Sequence, residues 1–229
     1  MATRRMWLPL SAIQFIEKRI YGTRPQTEEH VPENKEMNVL VKLALDPVED
    51  KQLVEDFLFF ASKGIKLKYL KSIFEDFKQG EAMSVSSVPG FDKETYGKNR
   101  YAVAADISVY EHTVSAAKRV FDLEGYSKTE LANAALLVLI HDFGKLSSFL
   151  KTKGILIHRQ HEHTSAYYAE AIITDAEDKK LLDVFVDILR NPESQRRFKG
   201  GVMAKILKKV DFEDRESVHV LKMRGALKR

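Results

Sequence analysis

The stretch Ala134 to Lys145, AALLVLIHDFGK, constrains this chain more than any other. Its first seven residues, Ala134 to Ile140, are all apolar, so the run belongs in a core. It then meets His141 and Asp142 directly, with Gly144 two positions further on. A charged pair closing a buried run is costly unless something binds it. That conflict is the first place to look for chemistry.

The elements around this run read almost entirely as helices. Leu8 to Tyr21 is amphipathic through Ile13, Phe15, Ile16 and Ile20, while Gly22 to Lys35, with Pro25 and Pro32, reads as a loop. Met37 to Leu45 is ambiguous between helix and strand. Asp46-Pro47 opens a helix expected to run to about Ser62 and to stop at Gly64, with Leu53, Phe57, Leu58 and Phe60 buried. Ile65 to Gln79 is a second helix, ended by Gly80. Glu81 to Arg100, with three serines and Pro89-Gly90, reads as a long loop.

From Ala104 the helical signal strengthens, through Ile107, Tyr110, Val114, Ala117 and Phe121. Ser127 and Glu130 form a capping box for the helix expected to carry the whole Ala134 to Lys145 stretch. Further helices are expected from about His161, from Glu177 to Leu189, and from Val202 to Asp214, with a basic, fraying tail from Ser217. The expected fold is all-α, with an N-terminal helical extension (1–100), a helical domain (101–217) and a basic tail (218–229).

Composition narrows the chemistry. The chain has no cysteine, which removes disulfides and thiolate metal sites. Its formal charge of +4 is spread over 37 basic and 33 acidic residues, compatible with a nucleic-acid or phosphate partner without demanding one. No signal peptide and no run long enough to span a membrane is read, so the expected location is cytoplasmic.

Six of the seven histidines lie after residue 100. Each chemically suggestive residue also has a plain structural role open to it. His112, in line with Val109, Ala116 and Val120, can be a core histidine with one hydrogen bond. Asp142 can pair with a cation or cap a helix, and His158, His161 and His163 can form a solvated loop. Asp211 can pair with Arg215 at i, i+4. Together they place imidazoles and carboxylates at or near apolar faces of four successive helical segments, as a divalent metal site inside a bundle requires. There is no H-E-x-x-H, no phosphate-binding glycine loop and no G-x-S-x-G elbow.

The order His112, His141-Asp142, Asp211 resembles the H…HD…D signature of the HD-domain metal-dependent phosphohydrolase superfamily. The local context matches as well, in Glu111-His112-Thr113, in HDFGK at 141–145, in HEHTSAYYAEAI at 161–172, and in Lys209-Val210-Asp211. The resemblance covers about Ala104 to Ser217. It implies that His112, His141, Asp142 and Asp211 hold a divalent ion: manganese, iron, magnesium, nickel, cobalt or zinc. His161, then His163, then His158 are the additional metal or substrate ligands it suggests. No histidine between 164 and 218 supplies the further pair that some two-metal members use.

The activity so implied is hydrolysis of a phosphate ester, a nucleotide or a related mono- or diester, by metal-activated water. Asp142, Lys145 and Glu162 are the candidate catalytic residues. Lys145 and Arg159 are the candidate phosphate contacts, and Arg196 and Arg197 the next. The competing readings are an HD-type nuclease, an HD module of a conjugation-type nucleic-acid-processing protein, and a metal-binding regulatory domain without turnover.

Overall fold

The computed structural model describes residues 50–79, 82, 107–191 and 201–226, with side chains described as far as Ser217. The expectations for Leu8 to Tyr21, Gly22 to Lys35, Met37 to Leu45, Asp46-Pro47, Gly80, Glu81 to Arg100, Arg196 and Arg197 lie outside the described residues.

Among those residues the fold is all-α, with eight α-helices: α1 (Lys51–Ser62), α2 (Leu67–Phe77), α3 (Val109–Arg119), α4 (Lys128–Ile140), α5 (Ser147–Thr152), α6 (His161–Ile172), α7 (Lys179–Arg190) and α8 (Gly201–Ala226). Short 3₁₀ turns follow α3 at Val120–Asp122, follow α4 at Phe143–Lys145 and precede α7 at Ala176–Asp178. None of the described helices is long and apolar enough to cross a membrane.

Helix α4 lies at the centre because it has no polar side to turn outward. Ala132 and every residue from Ala134 to Ile140 are buried, and α3, α6 and α8 pack around it. Its start follows the expected capping box. The Ser127 hydroxyl accepts the Glu130 N–H, and the Glu130 carboxylate accepts the Ser127 N–H. Helix α3 opens with the same device in Ser108 and Glu111, a capping pair the sequence reading passed over.

Two helix ends and one added helix differ from expectation. Helix α4 stops at Ile140, with His141 as its cap, and HDFGK continues as a turn and a 3₁₀ segment. Gly144 gives the physical reason. A Cβ there would overlap the backbone carbonyl of His161, so the turn presses directly against the start of α6. Ser165 bridges the two, accepting the Gly144 N–H at 2.8 Å and donating to the His141 carbonyl at 2.7 Å. Helix α5 was not foreseen. Helix α8 runs on to Ala226, so backbone that was expected to fray is helical across the 217/218 boundary.

Residues 50–79 share this core. Phe77 of α2 lies 4.9 Å from the Phe143 ring and 5.3 Å from Tyr110. Phe143 in turn stacks on Tyr168 of α6, with centroids 4.1 Å apart and planes within 6°. Beside Phe77, buried Asp76 accepts the Tyr168 hydroxyl at 2.8 Å and pairs with Lys153. Buried Asp56 of α1 likewise accepts from Tyr110 and Lys118 of α3. Lys66, the N-cap residue of α2, pairs with Glu177 and Asp178, at 2.6 Å each, ahead of α7.

Two substitutions test this arrangement by chemical denaturation. F77A is expected to cost ~3–5 kcal/mol, within one transition that moves the α2 side and the α4–α6 side together. G144A is expected to cost about 3 kcal/mol through overpacking against His161.

Candidate metal centre

Four chain segments converge where α4 ends. His112 comes from α3, His141 and Asp142 from the cap and turn after α4, Asp211 from α8, and His161 from the first position of α6. One ligand atom each from His112, His141 and Asp211 lies within 4.8 Å of the others.

The His141 ring is oriented by its own helix. Its Nδ1 lies 2.6 Å from the Val138 carbonyl, which can only accept, so Nδ1 donates there and Nε2 is turned into the cluster. That Nε2 is buried with no hydrogen-bond partner, 3.5 Å from Asp142 Oδ1 and 3.7 Å from Asp211 Oδ1. Asp142 is 1% exposed, and its Oδ1 is also buried without a hydrogen-bond partner. Its other oxygen faces Lys145 Nζ and stands 3.6 Å from His112 Nε2. Buried polar atoms without partners are rare in folded proteins. Here two adjoin, and both are good divalent-metal donors.

The charges are closely matched. Asp142, Asp211 and Asp214 face Lys145, Arg215 and Arg119, three carboxylates against three fixed cations. Burial works against the charge on Asp142, but His141, Lys145, His161 and His112 more than offset it and hold the carboxyl well below the usual carboxylate range. Burial likewise opposes the charge on Asp211. The hydrogen bond with His112 and the positive charge of Arg215 overcome it and keep Asp211 ionised. Arg215 grips Asp211 bidentately, at 2.6 Å to each oxygen, the i, i+4 pairing open to it from sequence. Burial also disfavours protonation of His112, yet its bonds to Asp211 and Asp214, with Asp142 nearby, raise its pKa from 6.5 to about 9.

The remaining candidates divide by position. His161 stands at the rim, its Nε2 3.6 Å from Asp142 Oδ1 and its Nδ1 3.3 Å from Glu162, with the side chain 39% exposed. His158 and His163 stack on each other at 4.4 Å, and no described contact joins either to the cluster. Lys145, expected to reach a phosphate, lies along Asp142. Arg159 is exposed.

The sequence reading missed Asp214. It is 1% exposed and accepts from Ser115, from Arg119 Nε at 3.1 Å and from His112 at 2.9 Å. The available signal was its i+3 spacing from Asp211 in DFED, which puts both carboxylates on one face of α8.

The residues fit a divalent ion, since imidazole nitrogen and carboxylate oxygen are the donors that borderline and hard divalent metals take. Comparison of the chain with protein-family models, with curated proteins and with solved structures gave no match.

The raised His112 pKa has a measurable consequence in metal-free protein. The folded state holds this proton more tightly than the unfolded chain, so the stabilisation is full below pH 6.5 and is lost as pH rises through about 9. Metal-free wild type is expected to lose up to about 3 kcal/mol across that window. H112Q should lack this loss, as denaturant titrations at stepped pH will show.

Proposed function

We propose that the chain is a metal-dependent phosphohydrolase of the HD-domain superfamily, cleaving a phosphate ester such as a nucleotide. The observation that carries this reading is the adjoining pair of unpartnered buried atoms, His141 Nε2 and Asp142 Oδ1, in the cluster that His112 and Asp211 complete. The order of these residues along the chain, which matches the superfamily signature, supports it further.

A divalent cation bound there lowers the pKa of a coordinated water from about 16 towards 7 and polarises a phosphoryl oxygen. The protein's part is to hold the donors and balance the charge. Lys145 and Arg215 fix the two carboxylates, and His141 and His112 turn Nε2 towards them. With the three carboxylates already matched by Lys145, Arg215 and Arg119, a divalent cation leaves the site net positive. A site of that charge favours an anionic substrate. His161, half in solvent and backed by Glu162, is placed to accept or return a proton at Nε2.

Elemental analysis of the purified chain is expected to find about one transition metal per chain. Metal uptake near pH 7.5 should release about one proton, because the His112 proton must leave. H141A and D142A should each lower metal affinity by more than the ~10–100-fold typical of outer-shell changes. With manganese added, a panel of nucleotides, phosphomonoesters, cyclic diesters and single-stranded DNA assigns the substrate class. Turnover of DNA alone would make the chain a nuclease, and metal binding without any turnover a regulatory module. A chain that binds neither manganese nor iron would rule out the enzyme reading.

A further inference from the structure

The two imidazoles of the cluster meet the same requirement by different means. A histidine donates to a metal through a nitrogen free of its proton, so something must hold the proton on the other nitrogen. For His141 that partner is the Val138 carbonyl. His112 has a carboxylate at each nitrogen, Asp214 Oδ2 at 2.9 Å from Nδ1 and Asp211 Oδ1 at 3.1 Å from Nε2.

These two carboxylates are not equivalent. Both Asp211 oxygens are taken by the Arg215 fork, with three contacts between 2.6 and 2.9 Å. Asp214 receives Ser115 and Arg119 on Oδ1, which leaves Oδ2 for His112. Asp214 is also the more deeply buried, at 1% side-chain exposure against 22% for Asp211. A buried carboxylate oxygen with a single partner gives up that hydrogen bond at high cost.

We propose that Asp214 is a positioning residue of the metal centre: by accepting the Nδ1 proton of His112, it presents Nε2 as the ligand atom towards Asp142 and Asp211. Ser115 and Arg119 hold its other oxygen and so fix the carboxylate's direction. The two histidines then offer the same nitrogen, with rings 5.8 Å apart. The assignment rests on the metal-centre reading above and adds a residue that the superfamily resemblance did not mark.

The test uses the full chain with zinc as probe. Zinc affinity is read by chelator competition, and the melting temperature of each metal-free protein gives the folding reference. D214N is expected to weaken zinc binding by ~10–100-fold. S127A removes the N-cap of α4, away from every cluster residue, and is expected to lower the melting temperature while leaving zinc affinity near wild type. In ¹⁵N spectra of the zinc-loaded wild type, His112 is expected with Nδ1 protonated and Nε2 ligated. D214N binding zinc as tightly as wild type would overturn the assignment. So would a His112 ligated through Nδ1, a result that stands even if D214N does not fold. A wild-type chain that takes up neither zinc nor manganese would overturn the metal centre itself, and Asp214's role with it.

Discussion

The contact between Gly144 and the backbone of His161 sets the geometry of everything near the end of α4. With no side chain between them, the turn after α4 sits directly on the start of α6, and Ser165 fastens the two with a pair of hydrogen bonds. His141 and Asp142 therefore enter the cluster from a fixed turn, and His161 reaches its rim from a helix start held to the same turn. Helices α3 and α8 supply His112 and Asp211 from the faces that pack on α4. One close approach thus gives several side chains a common frame, as a site that must hold its donors within fractions of an ångström requires.

The helical pattern was legible in the sequence because it rests on local chemistry. Apolar spacing located α3, and Ser127 with Glu130 marked the start of α4. Gly64 adopts the left-handed conformation that ends α1. What escaped depends on partners distant in sequence. Nothing within HDFGK says that Gly144 faces the carbonyl of His161, so the helix was extended through a turn. Lys145 was assigned outward to a ligand because its partner, Asp142, became evident only with the fold of the turn. Of the three histidines in HRQHEH, spacing alone could not separate His161, near Asp142, from the His158–His163 stack. Asp214 shows its role only through its neighbours on α3.

The electrostatics explain how so polar a cluster sits inside an apolar bundle. Isolated buried carboxylates would protonate or destabilise the fold. Here each is met by a cation from its own or a neighbouring helix, Lys145 on Asp142, Arg215 on Asp211 and Arg119 on Asp214. His141 Nε2 and Asp142 Oδ1 stand outside this pairing. Their lack of partners is the same conflict that AALLVLIHDFGK posed as bare sequence, now narrowed to two atoms.

The row of rings Phe77, Phe143 and Tyr168 bears on how this protein can be dissected. Phe143 belongs to the same turn as Asp142, and its outer neighbour is a residue of α2, some sixty positions earlier. Cutting the chain at residue 100, where the sequence invites a boundary, would strip Phe143 and Tyr110 of an aromatic neighbour and leave Tyr168 without its acceptor on Asp76. The unit that carries the cluster therefore begins at or before α1, and a fragment prepared for study should retain residues 50–79. Changes in that segment, remote from every candidate ligand, would register in the geometry of the cluster.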